Sequence, residues 1–262
     1  MATIVYSIPN KVSLDAADAM KRIAGFQETE PVEGMRRFKF DKLELIEIKE
    51  MHLNADFLDK LNREYIIFLS SHGSAKNIPC FTAHPEGNWN GEAKLGGKPK
   101  ELAFAAPVQM QKVLAAMAKG NKTEIPVTYE ATHHGPLLKT PSLFAEVGGN
   151  DETRGHSGHL EFLARSVLDS FDMDVGYEKV AFGIGGLHYS DRFAKLAVSG
   201  KYAFGHIMSK HHVDNIDMIP QAIERSSPKP EVAVIDWKSL YAEQREKAIN
   251  KLNEAGLDYA KI

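Results

Sequence analysis

Only one of the 262 residues is cysteine, Cys80, so no internal disulfide can form, and a reducing cytosol is the expected compartment. No apolar run approaches the roughly 20 residues that cross a bilayer. The opening MATIVYSIPN has no basic stretch ahead of a long apolar core, which excludes a cleavable secretion signal. These absences predict a cytoplasmic protein with no membrane partner. Charge of either sign is barely in excess: 32 Lys and Arg against 35 Asp and Glu give a net −3. No overall field attracts an acidic partner, so any nucleic-acid contact must use a local basic patch. Also lacking are HExxH, CxxC and GxSxG, the short signatures of helical zinc sites, thiolate sites and nucleophile elbows. No internal repeat or linker divides the chain, so residues 1–262 are expected to form a single domain.

What is present is an alternation of strand-like and helix-like segments. Thr3–Ile8 and Tyr65–Leu69 are continuous apolar runs, suited to a sheet covered on both faces. Ser13 and Asp15 are expected to cap a helix ended by Gly25. Arg36–Phe40 and Leu43–Ile48, joined by Asp41-Lys42, predict a hairpin. Pro107 suits the first turn of a helix that stops at Gly120. Leu160, Leu163, Ala164 and Val167 repeat at helical spacing. Further strands are expected at 125–129, 180–184, 202–204 and 232–235, and helices at 192–198 and 237–254. This pattern predicts an α/β fold with a mixed, mostly parallel central sheet covered by helices.

Histidines stand directly after several of these strands. His72 follows Tyr65–Leu69 in SSHGS, His133 and His134 lie in YEATHHGP, His188 lies in GGLHYS, and His206 lies in FGHIMSKHH. Glu146, in FAEVGG, is close behind the histidine pair. In an open α/β sheet, ligands bind outside the carboxyl ends of the strands, so these side chains are expected to share one site. Imidazoles with a carboxylate are the usual donors of a catalytic zinc. The first nominated set is His72, His134, His188 and Glu146, with His84, His133 and His206 behind it. His211 and His212 read as solvated or phosphate-facing, and His156 and His159 as surface or capping residues.

Residues 85–106 read as a long functional loop. Within it, Asn88 and Trp89 suggest a platform for stacking a nucleobase, and Lys94, Lys98 and Lys100 would hold nearby phosphates. Gly185 and Gly186 could turn backbone N–H groups toward an oxyanion. Cys80 reads as a small buried thiol.

Together these segments resemble the archaeal and plant-type D-aminoacyl-tRNA deacylases. The resemblance is carried by Ser71-His72-Gly73-Ser74, His84-Pro85-Glu86-Gly87-Asn88-Trp89, Tyr129–Pro136, Pro141–Gly148, Gly183–Tyr189 and Phe204–Ile207. The chain departs from the family form at Gly149, where a serine tends to follow the glycine. The resemblance implies a single α/β domain similar to peptidyl-tRNA hydrolases and nucleoside phosphorylases. It also implies hydrolysis of the ester joining a D-amino acid to the 3′ end of tRNA, which keeps D-amino acids out of translation. Zinc is the implied cofactor, with one or two ions per chain. In the expected mechanism, Glu146 is a ligand or the base for a metal-activated water. His133 acts on the departing ribose hydroxyl, and the Gly185–Gly186 amides bind the oxyanion. A monomer is expected. The competing readings are a non-enzymatic RNA- or nucleotide-binding protein and a phosphorylase-like transferase.

Overall fold

The computed structural model describes residues 2–73 and 76–262; Ser74, the last residue of the first matching motif, lies outside them. The elements run β1 (Ala2–Ser7), α1 (Lys11–Ala24), β2 (Gln27–Val32), β3 (Met35–Phe40), β4 (Leu43–Ile48), β5 (Tyr65–His72), β6 (Cys80–His84), β7 (Gly87–Asn88), β8 (Glu101–Leu102), α2 (Pro107–Gly120), β9 (Val127–Tyr129) and β10 (Ser142–Gly148). They continue with α3 (Asp151–Gly155), α4 (Ser157–Ser170), β11 (Lys179–Ile184), α5 (Asp191–Val198), β12 (Tyr202–Met208), α6 (Ile219–Glu224), β13 (Val232–Ile235), α7 (Ala242–Glu254) and β14 (Tyr259–Lys261).

The fold is α/β, as expected, but its strands divide between two main sheets. Eight strands pair in the order β2-β3-β4-β1-β5-β10-β6-β9, and four more in the order β12-β11-β13-β14. In the larger sheet β1, β4, β5 and β10 are mutually parallel, while β6 pairs antiparallel with β10 and parallel with β9. The smaller sheet is parallel throughout.

The continuous apolar run of β5 is explained by two covered faces. Ile67 and Leu69 enter the core beneath α1, α2 and α4, while Ile66 and Phe68 enter a second cluster with Leu58, Leu61 and Phe144. Helix α2 also packs on β12 and α5, which ties the sheets together. A third cluster, around Phe182, Ile184 and Met208, lies between the smaller sheet and α6 and α7.

The cap of α1 is Asn10, whose side chain accepts from Ser13 N–H, and not Ser13 or Asp15. Strands β2, β10 and β14 had no strong sequence signal. None of the helices is long and apolar enough to cross a membrane among the described residues.

Candidate active site

Adjacent strands β5 and β10 meet residue for residue. Phe68 lies beside Phe144, then Ser70 beside Glu146, then His72 beside Gly148. Side chains on one strand face alternate with period two, so the apolar rung of Phe68 and Phe144 gives way on the same face to Ser70, His72 and Glu146. Glycine is required opposite His72, because a Cβ at Gly148 would lie 2.4 Å from Cys80 Sγ and 3.5 Å from His72 Cβ. Strand β6 runs the other way and ends in His84, whose ring stacks on Phe144 at 5.2 Å. The donors lie at or beside the carboxyl ends of their strands, as expected, but converge from both directions, because β5 and β10 run parallel while β6 runs against them.

The segment after β9 completes the cluster. Glu130 bridges to Tyr189, Ala131 N–H donates to His188 C=O at 2.8 Å, and Thr132 N–H donates to Ile207 C=O at 2.9 Å. These bonds stitch the smaller sheet to the larger one and bring His188 into the site. His134 adopts a positive φ of 43°, a strained conformation for a residue with a Cβ, in the turn that presents its ring beside His133.

Glu130, which the sequence reading did not single out, is the hub. Its Oε2 lies 2.8 Å from His72 Nδ1, 2.8 Å from His188 Nε2 and 3.5 Å from His133 Nε2, with the carboxyl fully buried. Glu146 Oε2 lies 3.5 Å from His84 Nε2 and 3.8 Å from His72 Nδ1. Three imidazoles have Nδ1 against a backbone carbonyl: His84 at 3.2 Å from Pro85 O, His133 at 2.9 Å from Ala131 O, and His134 at 2.6 Å from Gly135 O. For His133 and His134 an Nδ1–H donated to a carbonyl fixes the tautomer and leaves Nε2 as the free lone pair, the arrangement typical of metal-ligating histidine.

Three groups of possible ligands result among the described residues: His72, Glu130, His133 and His188; His84, His133 and His134; and His84, Glu130 and Glu146. Within each, the donor atoms all lie within 4.8 Å of one another. His72 Nε2, His84 Nε2, Glu130 Oε1 and Glu146 Oε2 are buried without a hydrogen-bond partner. Orphaned buried donors and acceptors are costly, and a divalent cation among them would satisfy lone pairs that the protein does not. The residues present therefore fit zinc.

Electrostatics separates the imidazoles. Burial pushes His134 down to about 4, aided by the neighbouring His84, and drives His133 well below its ordinary value for the same reasons. Both are neutral near pH 7. Burial also opposes charge on His84 and His72, but carboxylates outweigh it. Glu146 lifts His84 to about 9, and the bond to Glu130 raises His72. Burial would raise both acids, yet His188 and His72 hold Glu130 well below the carboxylate range, and His84 lowers Glu146.

A cavity of about 410 Å³ opens onto His72, His133, His134, Glu146 and His188, and is walled by Asn10, Ser70 and Ser71 on one side and Met51, Leu53 and Leu95 on another. Asn10 Nδ2 donates to Ser71 Oγ at 3.3 Å on the polar wall.

Several expected roles do not survive the geometry. The nominated quartet of His72, His134, His188 and Glu146 is not one ligand group: its members fall into three groups, linked by Glu130, His84 and His133. Gly185 and Gly186 have positive φ of 98° and 75°, but their amides are committed, Gly185 N–H to Met208 C=O at 2.8 Å and Gly186 N–H to Ser239 Oγ at 2.8 Å. Neither can receive an oxyanion. Trp89 is 1% exposed, donates its indole N–H to Thr132 C=O at 3.0 Å and packs near Phe182, so it is scaffold and not a stacking platform. Asn88 holds the loop by donating to Gly96 C=O at 2.9 Å.

The lysines also lie away from the chemistry. Lys94 pairs with Glu92 at 2.8 Å on the surface, and Lys100 is exposed. Lys98 lines a different hollow, which shares no residue with the catalytic cavity. His206 is structural: Nε2 lies 3.1 Å from Ala103 O and 3.0 Å from Arg225 O, and Nδ1 lies 3.2 Å from Thr132 Oγ1. His212 braces Asn90 at 3.3 Å. His156 and His159 pack together at 4.5 Å, away from the cluster. Cys80 is buried and its thiol is pushed up to about 12 by burial, so it is inert.

A family model described as D-aminoacyl-tRNA deacylase matches residues 59–260. The D-aminoacyl-tRNA deacylase of Pyrococcus furiosus is 34% identical over 271 residues, covering 100% of each chain. That of Ignicoccus hospitalis is 35% identical, covering 98% of this chain and 97% of its own. A crystal structure described as a conserved protein of unknown function is 29% identical, with a TM-score of 0.89 over 100% of this chain and 95% of that one.

Proposed function

Since the chain belongs to the D-aminoacyl-tRNA deacylase family, we propose that it hydrolyses the ester between a D-amino acid and the 3′ end of tRNA at the imidazole and carboxylate cluster. The observation that carries this reading is that side chains from β5 and β10, the segment after β9 and the loop after β11 line one cavity, with His84 of β6 joined to them through Glu146, His133 and His134, and with buried donor atoms unpartnered. Packing alone gives no reason to gather five imidazoles and two buried carboxylates, since each buried charge is costly unless paired.

In this reading His84, His133 and His134 would hold zinc, His84 giving up its proton on binding, and Glu130 with His72 and His188 forms the neighbouring group, which a second ion would use. One ring nitrogen serves one ion, so His133 commits to one group. Bound zinc lowers the pKa of water from 15.7 to about 7 and so supplies hydroxide near neutrality.

The remaining work falls to the chain. Glu146, ionised and facing the cavity, accepts the proton of the attacking water. Glu130 keeps His72 and His188 in fixed tautomers. The Gly185 and Gly186 amides, already committed, do not serve the ester oxygen as it becomes an anion. His133, neutral and with its Nδ1–H held by Ala131 C=O, has no proton for the departing ribose oxygen, so Glu146 returns to it the one taken from the water. Asn10, Ser70 and Ser71 offer hydrogen bonds to hydroxyls of the bound ester.

The test is release of amino acid from D-tyrosyl-tRNA and L-tyrosyl-tRNA under identical conditions. Rapid release of the D-amino acid with the L-ester spared is the expected result. Equal rates, or none with either, would overturn the proposal.

A further inference from the structure

The catalytic cavity continues past its imidazoles. Asn10, Met51 and Ser71 also line a second hollow of about 510 Å³, whose charged residues are Lys11, Asp15, Asp151 and Arg154. We propose that Arg154 binds the phosphodiester of the terminal nucleotide of tRNA, making this hollow the route by which the polynucleotide leaves the site. The inference rests on the deacylase reading above and adds to it a phosphate-recognition residue and a path.

Three observations carry it. The first is position. A methyl group added at Gly73 would come within 3.3 Å of Arg154 Nη1, so the guanidinium lies against the residue that follows His72. The ribose that bears the ester also bears the 5′ phosphodiester, so that phosphate lies no more than one sugar away from the reacting carbon. Arg154 lies against the neighbour of His72, in a hollow that adjoins the cavity through Asn10, Met51 and Ser71.

The second is availability. The Arg154 side chain is 24% exposed and therefore held in place, while its partner Asp151 is 98% exposed. A pair with so exposed a carboxylate contributes little, and a phosphate can take its place with two parallel N–H···O bonds, which suit the guanidinium fork. Lys11, 84% exposed and paired with Asp15, stands farther out as a second cation.

The third is the poorer fit of the alternatives. The hollow that holds Lys98 shares no residue with the catalytic cavity. The hollow beside Gly186 shares only Tyr189, and its Arg192 is held by Asp236, a carboxylate 9% exposed that cannot swing away.

Two substrates decide the matter: D-tyrosyl-tRNA, and D-tyrosyl adenosine esterified at the 3′ oxygen, which has the same ester but no phosphate. Arg154→Ala should raise KM for the tRNA about tenfold with kcat nearly unchanged, the loss expected for one charge-assisted contact, and leave KM for the nucleoside ester as it was. Arg154→Lys should recover part of the loss. Asp151→Ala, which frees the guanidinium, should lower KM for the tRNA below the wild-type value. A merely structural arginine would move both substrates together and would gain nothing from Asp151→Ala; either result overturns the proposal, and Asp151→Ala decides it even if Arg154→Ala does not fold. Wild-type inactivity on both esters would instead bring down the deacylase reading itself.

Discussion

At the face of the eight-stranded sheet, His84 is fully buried with Nδ1 toward a backbone carbonyl and Nε2 toward Glu146 at 3.5 Å. In the four-stranded sheet, His206 on β12 is equally buried, with both ring nitrogens bonded to carbonyls or a hydroxyl. Burial pushes both imidazoles down. His206 settles at about 4, while the carboxylate company of His84 carries it to about 9. The same contrast holds for the turns: Gly185 and Gly186 use their amides internally, whereas the Glu130–Pro136 segment presents the His133 and His134 rings to a cavity. A buried polar group marks a site when its surroundings leave it unsatisfied and charged, and marks scaffold when they do not.

The change that should break this contrast hardest is Glu130→Gln, which removes the hub charge while keeping its shape. The rate of D-aminoacyl ester hydrolysis should fall about a thousandfold, within the range found for acid–base and charge-stabilising groups. A loss of less than tenfold would show that the hub is only structural.

The scaffold side is sharpened by His206→Gln. The folded value of about 4 lies below the ordinary 6.5, so the native state binds fewer protons than the unfolded chain between those values. That contribution to stability is complete above pH 6.5 and is lost as pH falls through 4, about 3 kcal/mol in all. Urea unfolding from pH 7 down to 4.5 should therefore show a shallower acid slope in the variant, with hydrolysis at pH 7 within about threefold of wild type, as expected for a surface or scaffold change far from the chemistry. A collapse of activity matching Glu130→Gln would erase the distinction between the two histidines.

The smallest expected effect belongs to Ser239→Ala, which takes the acceptor from Gly186 N–H at 2.8 Å. A stability loss of about 1 kcal/mol with an unchanged rate is expected. A hundredfold drop in kcat would return the glycine turn to the catalytic machinery.

Much of this was legible in the chain itself. Hydrophobic period and punctuation place α2 at Pro107–Gly120 and the β3–β4 hairpin correctly, and histidines after apolar runs point to His72, His133, His134 and His188. Glu130 was overlooked because a lone glutamate beside a tyrosine carries no periodic or motif signal; its importance comes from a bridge to Tyr189, 59 residues away in sequence, which only the fold creates. Strand β10 was missed since Glu146 and Gly148 interrupt its apolar pattern, and both are there for the site. Trp89 misled because a tryptophan among glycines and asparagines reads as exposed, whereas a core cluster from α6, α7 and the smaller sheet closes over it. The lysines of the same loop follow the surface away from the cavity for the reason that solvated charges generally do.

Metal occupancy set against rate tests the central claim most directly. The protein is stripped by chelation, reloaded stepwise with zinc, and assayed on D-tyrosyl-tRNA while bound metal is measured by mass spectrometry and folding by circular dichroism. The account predicts no turnover in the stripped, folded protein and a rate that climbs in proportion to zinc bound. Full turnover by folded protein holding only trace metal would contradict it.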